Sequence, residues 1–226
     1  VALCGLCETT VDWEQEADRY AAQALAANDP TAWFERLYAS GVAGEVGLPW
    51  DTDGPRPALA EWAAGLDGHG KRAIVVGAGL GQNSELIAGL GFATVAFDIS
   101  PTAISVVRQR FPHSTVDYLT ADLLDPPAAW TGAFDLVVEV FTVQALPEPL
   151  REPATAAVAG FTAPGGTLIV IARARFDDEP VRENPPWPLT RAQIDAFATR
   201  GLSTVRVELL DGRWWRATFT RPVRPD

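Results

Sequence analysis

The stretch VVGAGLGQNSELIAGLGFATVAFDIS, residues 75 to 100, sets a glycine-rich turn between two apolar runs and ends on an acid, Asp98. Glycine accepts positive φ and lets backbone come close to a neighbour, so Gly77-Ala78-Gly79-Leu80-Gly81 can turn sharply out of a strand. The helix that follows keeps its first N–H groups free, which makes the turn a place to hold a ligand. Strand, tight turn, helix and strand in this order form the opening unit of an open α/β sheet.

The pattern continues downstream. Apolar, strand-length runs alternate with helical segments: strands at 73–77, 93–98, 115–119, 134–141 and 167–172, and helices at 82–90, 101–111 and 149–161. Strands that are apolar almost throughout belong to a parallel sheet covered on both faces. Past RFDDEPVRENPPWPLT a helix is expected over 190–199. LSTVRVELLDGRWWRATFTR then reads as two alternating runs joined by Asp211-Gly212, a hairpin signal. The expected fold is a Rossmann-like, doubly wound, seven-stranded sheet, mostly parallel, closing on an antiparallel hairpin.

Upstream, helices are expected at 11–27, with Asp12 as cap, at 30–39 and near 57–65. Between the last two lies GVAGEVGLPWDTDGPRP, too rich in Gly and Pro for regular structure. Residues 1–56 are therefore expected to form a helical extension, and residues 57–226 a single domain.

The turn discriminates among nucleotides. A dinucleotide fingerprint places its third glycine where Gln82 stands, and no GK[ST] follows for a Walker loop. Asp98, at the end of the second strand, is placed for ribose hydroxyls. Asp122 in TADLLD follows the third strand and can meet an adenine edge, while Glu139 in FDLVVEVF stands at the carboxyl end of the fourth. Carboxylates around a site suit a sulfonium cation and sit awkwardly beside a pyrophosphate, so S-adenosylmethionine is the expected cofactor.

The formal net charge of −11, from 29 acids against 18 Lys and Arg, disfavours nucleic-acid and anionic-membrane partners and points to a small-molecule substrate. The longest apolar runs fall short of the ~20 residues of a membrane span. With no basic-then-apolar leader, a cytoplasmic location is the expectation. Cys4 and Cys7 form a lone CGLC without the further ligands of a zinc site or the strand and helix of a redox motif, so no metal is expected.

From about Phe34 to Thr220 the chain resembles class I S-adenosylmethionine-dependent methyltransferases. It resembles more narrowly the thiopurine methyltransferase-like group, which includes halide/thiol and tellurite-resistance methyltransferases. The resemblance is carried by FERLYASG, LPWDTDGPRPALAEW, VVGAGLGQNSELIAGLGFATVAFDIS, FDLVVEVFTVQALPEPLR, APGGTLIV and NPPWPLT. It implies that Gly77, Ala78, Gly79, Gly81, Asp98, Ile99, Asp122 and Leu123 contact the cofactor, with Trp50 and Glu139 beside them. It also implies that Phe34, Tyr38 and Trp50 fold over cofactor and substrate as a lid. In the halide/thiol branch a tyrosine follows the strand-four acid, where this chain has Val140. Phe141 and Trp187 are the residues expected to line the substrate side instead.

A thiol of pKa ~8.5 is partly ionised at neutral pH and needs no general base, unlike an alcohol. His69 and His113 fall in loops on the face opposite the glycine turn. Sulfur is therefore the expected acceptor atom. The alternative is nitrogen or oxygen, with Asp51 or Glu139 as base. A non-catalytic nucleotide-binding module and a nicotinamide oxidoreductase are the readings from other classes.

Overall fold

The structure is a computed structural model and describes residues 13–48 and 50–223. Its centre is one seven-stranded sheet: β1 (Arg72–Val76), β2 (Ala93–Asp98), β3 (Asp117–Thr120), β4 (Phe134–Val140), β5 (Thr162–Arg173), β6 (Ser203–Leu210) and β7 (Trp214–Thr220). The strand order is β3-β2-β1-β4-β5-β7-β6, with β1 to β5 parallel and β7 antiparallel to both β5 and β6. The winding direction reverses between β1 and β4, so a crevice opens there at the carboxyl ends of the strands.

Among the described residues seven α-helices surround the sheet: α1 (Trp13–Ala26), α2 (Ala32–Val42), α3 (Pro57–Ala63), α4 (Gln82–Gly89), α5 (Pro101–Arg110), α6 (Glu148–Gly160) and α7 (Arg191–Asp195). Side chains alternate between the faces of a strand, and here both faces are buried. Ile74, Val76, Val137, Leu168 and Val170 join one core with Val158 of α6 and Ile194 of α7. Their neighbours Ala73, Val75, Val138, Ile169 and Ile171 join the other with Leu59, Ile87 and Ile104 from α3, α4 and α5. The unbroken apolar runs thus reflect a sheet sandwiched between two helical layers.

The doubly wound sheet and its closing hairpin match the expectation, and Asp211 (φ 49°) and Gly212 (φ 62°) both adopt the left-handed backbone that turns the hairpin. Several boundaries move. The helix expected over 190–199 is only α7, five residues long, capped by a reciprocal box between Thr190 and Gln193. Beyond it Phe197 turns fully into the core, and Arg200 and Gly201, both at positive φ, redirect the chain into β6. β5 starts five residues early because Thr162 already pairs with Phe134 before the register shifts. The start of the first expected helix, its cap Asp12, and Cys4 and Cys7 lie outside the described residues.

α1 and α2 pack on each other, and α2 packs on α5, which carries both over the carboxyl ends of the strands. Among the described residues no helix is long and apolar enough to cross a membrane.

Candidate active site

The carboxyl ends of β1, β2, β4 and β5 open into a cavity of about 280 Å3 roofed by α1, α2 and the segment from Trp50 to Arg56. This is near the lower end of the ~300–1,000 Å3 usual for small-molecule pockets. Its floor is the glycine turn. A Cβ on Gly77 (φ 67°) would stand 2.3 Å from Thr142 Oγ1, and one on Gly79 (φ 54°) would project toward the Tyr38 hydroxyl at 3.4 Å. Neither position tolerates a side chain without closing the floor or displacing its neighbour.

Gly81 has another task. It lies outside the cavity lining, and a Cβ there would strike Val107 Cγ2 at 2.3 Å. Its expected place among the cofactor contacts is thus corrected: at φ 92° it caps α4 and lets that helix close on α5.

Asp98 is 7% exposed at the end of β2. Its Oδ2 accepts from the Gly79 N–H and its Oδ1 from the Ser100 N–H, both at 3.0 Å. Burial pushes its pKa up, and those backbone N–H groups oppose the shift. A carboxylate has about four acceptor sites, so Asp98 keeps room for ligand hydroxyls. Ala78, Ile99, Asp122 and Leu123 line the same end, with Asp122 exposed and accepting from the Leu124 N–H at 2.8 Å.

The roof is aromatic and fastened to this floor. Trp33 and Phe34 stack at 4.0 Å, and Tyr38 and Trp50 meet at 5.3 Å. Phe34, Tyr38 and Trp50 all line the cavity, and the buried Trp50 Nε1 has no well-formed hydrogen bond to an acceptor among the described residues. Glu35 of α2 accepts from the Ser100 and Thr102 hydroxyls and from the Thr102 N–H, at the start of α5. Burial raises the proton affinity of Glu35, but these bonds outweigh it and hold the pKa below the ordinary value. Gln82 Nε2 donates to Thr52 O at 2.8 Å, and the Arg56 N–H to Asn83 Oδ1 at 3.0 Å.

Beyond the switch point the lining changes to Val140, Phe141, Thr142, Gln144, Arg173 and Trp214. Phe141 holds a positive φ of 66°, and its ring lies 5.3 Å from Trp214 and under the Arg56 guanidinium at 4.8 Å. Buried Gln144 joins two segments: its Oε1 accepts from the Arg173 N–H at 2.6 Å and its carbonyl from the Trp187 N–H at 2.8 Å.

Three expected site residues lie elsewhere. Trp187 is buried against Arg151, 5.4 Å away, and leaves the lining to Pro185 and Pro186. Asp51 turns outward and pairs with Arg110 at 2.7 Å, drawn by a cation on α5. Glu139 points beneath the cavity, 1% exposed, because its Oε1 accepts from the N–H groups of Thr142 (2.7 Å) and Val143 (2.9 Å). Its Oε2 has no hydrogen-bond partner among the described residues, and burial pushes its pKa up to about 7. Both candidate bases thus stand outside the cavity, and His69 and His113 are exposed.

Arg56, Arg173, Gln144 and Glu35 escaped the sequence reading. Only Arg56 had a local signal, its place in the Gly/Pro-rich segment. The partners of Glu35 and Gln144 are remote in the chain.

Residues 74–170, from β1 into β5, match the family model described as a methyltransferase domain. Among curated proteins, the chain is 34% identical over 131 residues to the ubiquinone biosynthesis O-methyltransferase of Xanthomonas campestris pv. campestris. That alignment covers 54% of each protein, so the chain spans about half the length of the curated relatives it matches. Among solved structures, the Burkholderia thailandensis 1,6-didemethyltoxoflavin-N1-methyltransferase, with bound 1,6-didemethyltoxoflavin and S-adenosylhomocysteine, superposes with a TM-score of 0.65 at 16% identity, covering 91% of both chains. A structure described for conversion of a disulfide bond into a thioacetal group during echinomycin biosynthesis gives 0.65 at 22% identity, covering 85% of this chain and 93% of that one. The chain shares the Rossmann-like, seven-stranded fold of these structures.

Proposed function

We propose that this protein is an S-adenosylmethionine-dependent methyltransferase acting on a small molecule at sulfur. The observation that carries the methyltransferase reading is the buried Asp98 carboxylate beside Gly79, at the floor of a cavity with an aromatic roof. The residues present fit this cofactor. The two glycines leave space, Asp98 keeps acceptor sites for ribose, and Trp50 Nε1 is a buried donor without a well-formed hydrogen bond among the described residues. Arg56, half-buried and without an acidic partner among the described residues, suits the carboxylate of the methionyl end.

When bound, S-adenosylmethionine supplies an already activated methyl group. The protein's own residues then have to bind, align and exclude water. In this reading residues 1–56 act as the lid over the domain of 57–226, with Phe34, Tyr38 and Trp50 as its apolar lining. Closure strengthens each polar contact underneath by removing solvent.

Sulfur is favoured by the chemistry of the far half. The charged residues among those described that line the cavity are Asp98, Asp122, Arg56 and Arg173, and neither Asp51 nor Glu139 reaches it. A thiol needs no base, and arginines nearby favour its thiolate. The resemblance to the thiopurine methyltransferase-like group agrees. Oxygen is the second reading, supported by the name of the curated relatives.

The test is methyl transfer from labelled S-adenosylmethionine to thiols, iodide, and matched phenols and amines. Transfer to thiols is the expected result. Transfer confined to phenols or amines would overturn the sulfur assignment, and binding of NADH without any binding of S-adenosylhomocysteine would overturn the methyltransferase reading.

A further inference from the structure

The charged lining of the cavity is divided by the switch point of the sheet. Asp98 ends β2 and Asp122 follows β3 on one side, while Arg173 ends β5 on the other and Arg56 reaches over Phe141. The chain has 29 acids to draw on. Even so, among the described residues no carboxylate pairs with either guanidinium: Arg56 and Arg173 bond to other side chains only through their backbone N–H groups. The cofactor brings one carboxylate, assigned above to Arg56, which leaves one arginine over.

We infer that the methyl acceptor carries a carboxylate held by Arg173, with its apolar body packed on Phe141 and Trp214. The inference rests on the methyltransferase reading and names the substrate class of that same site. A guanidinium offers two parallel N–H donors in a rigid fork that matches a carboxylate, and so orients the bound molecule as well as holding it. Arg173 is exposed although it lines the cavity, and its backbone is held in place. Its N–H is bound by the buried Gln144 side chain at 2.6 Å, and its β7 partner is Trp214. The Phe141 and Trp214 rings, 5.3 Å apart and inclined at 40°, line the same cavity as Arg173 and the glycine turn and give it an apolar surface. A ligand lying along it has its acid at β5 and its other end toward Val140 and Thr142, beside the turn that follows β1.

The experiment is calorimetric titration of the protein saturated with S-adenosylhomocysteine, which needs no turnover. The probes are 2-mercaptobenzoate and 3-mercaptopropionate, each against its own amide. At least one acid should bind about tenfold tighter than its amide, the size expected for a charge-assisted pair. In Arg173→Gln that preference should fall below about threefold, and Arg173→Lys should restore part of it as a point charge without the fork. Arg173→Gln should bind S-adenosylhomocysteine within about twofold of wild type, whereas Arg56→Gln should lose about tenfold. Acids and amides that bind equally, or not at all, overturn the inference, as does an acid preference that survives in Arg173→Gln. If Arg173→Gln weakens S-adenosylhomocysteine as much as Arg56→Gln does, Arg173 serves the cofactor and the inference is wrong. Failure of S-adenosylhomocysteine to bind the wild type is a separate result, and it strikes the methyltransferase reading first.

Discussion

Two buried acids with different environments do different work. Asp98 is bound on both oxygens by backbone N–H groups and still lines the cavity, so its charge is available to a ligand. Hydrogen bonds to a charged group contribute ~1.5–3 kcal/mol, so Asp98→Ala should weaken S-adenosylhomocysteine at least about tenfold by calorimetry. Unchanged binding would remove Asp98 from the ribose. Glu139, in contrast, has one oxygen bound and one without a hydrogen-bond partner among the described residues, and burial raises its pKa to about 7. An unfolded glutamate titrates near ~4.3, so the folded protein holds this proton more tightly. The resulting stability is complete below the unfolded value and is lost as pH rises through about 7. At ~1.4 kcal/mol per pKa unit the loss is about 4 kcal/mol. Glu139→Gln keeps the neutral form at every pH, so melts across pH 5 to 8 should show wild type falling progressively below the variant. A gap that does not change with pH would mean that Glu139 is charged throughout.

At the scale of elements, the strands were readable and the connections between the roof and the sheet were not. Five parallel strands announce themselves as apolar runs because both faces of each are buried, and the closing hairpin carries its own Asp-Gly signal. α7 was overextended in the sequence reading because its helical pattern runs on past Asp195, while the tertiary demand to bury Phe197 ends the helix there. The attachment of α2 was invisible for a different reason: Glu35 is an ordinary first-turn acid whose partners, Ser100 and Thr102, are more than sixty residues away. Since Ser100 also donates its N–H to Asp98, the roof and that buried acid share one turn. Glu35→Ala should therefore accelerate amide exchange in Ala32–Val42 about tenfold while β1 and β4 exchange as in wild type. Equal acceleration in the sheet would show that Glu35 supports the whole fold rather than the roof.

Over the whole molecule, the roof, the glycine turn and the far ends of β4, β5 and β7 meet in one cavity, so a ligand that fills it ties together segments separated by more than a hundred residues. S-adenosylhomocysteine at about 100 times its Kd should add ~2.7 kcal/mol. For a chain of this size that is a rise in Tm of roughly 5–11 °C, at ~2–4 °C per kcal/mol. NADH at the same concentration should leave Tm unchanged. A shift with NADH alone would return the glycine turn to the dinucleotide class that Gln82 argues against.

The sequence by itself determined the sheet, its winding and the position of the glycine turn and Asp98, because these follow from local periodicity and from backbone that only glycine adopts readily. Phe34, Tyr38, Trp50 and Phe141, which line the cavity, were pointed to by the family resemblance and not by any local pattern. The tertiary structure alone decided which polar groups face the ligand. Asp51 turned to Arg110, Glu139 sank onto the backbone of Thr142 and Val143, Trp187 packed on Arg151, and Arg56 and Arg173 were left without acids among the described residues. A charged side chain goes where its nearest partner is, and that partner is set by which strands and helices become neighbours, information that no local stretch of the chain contains.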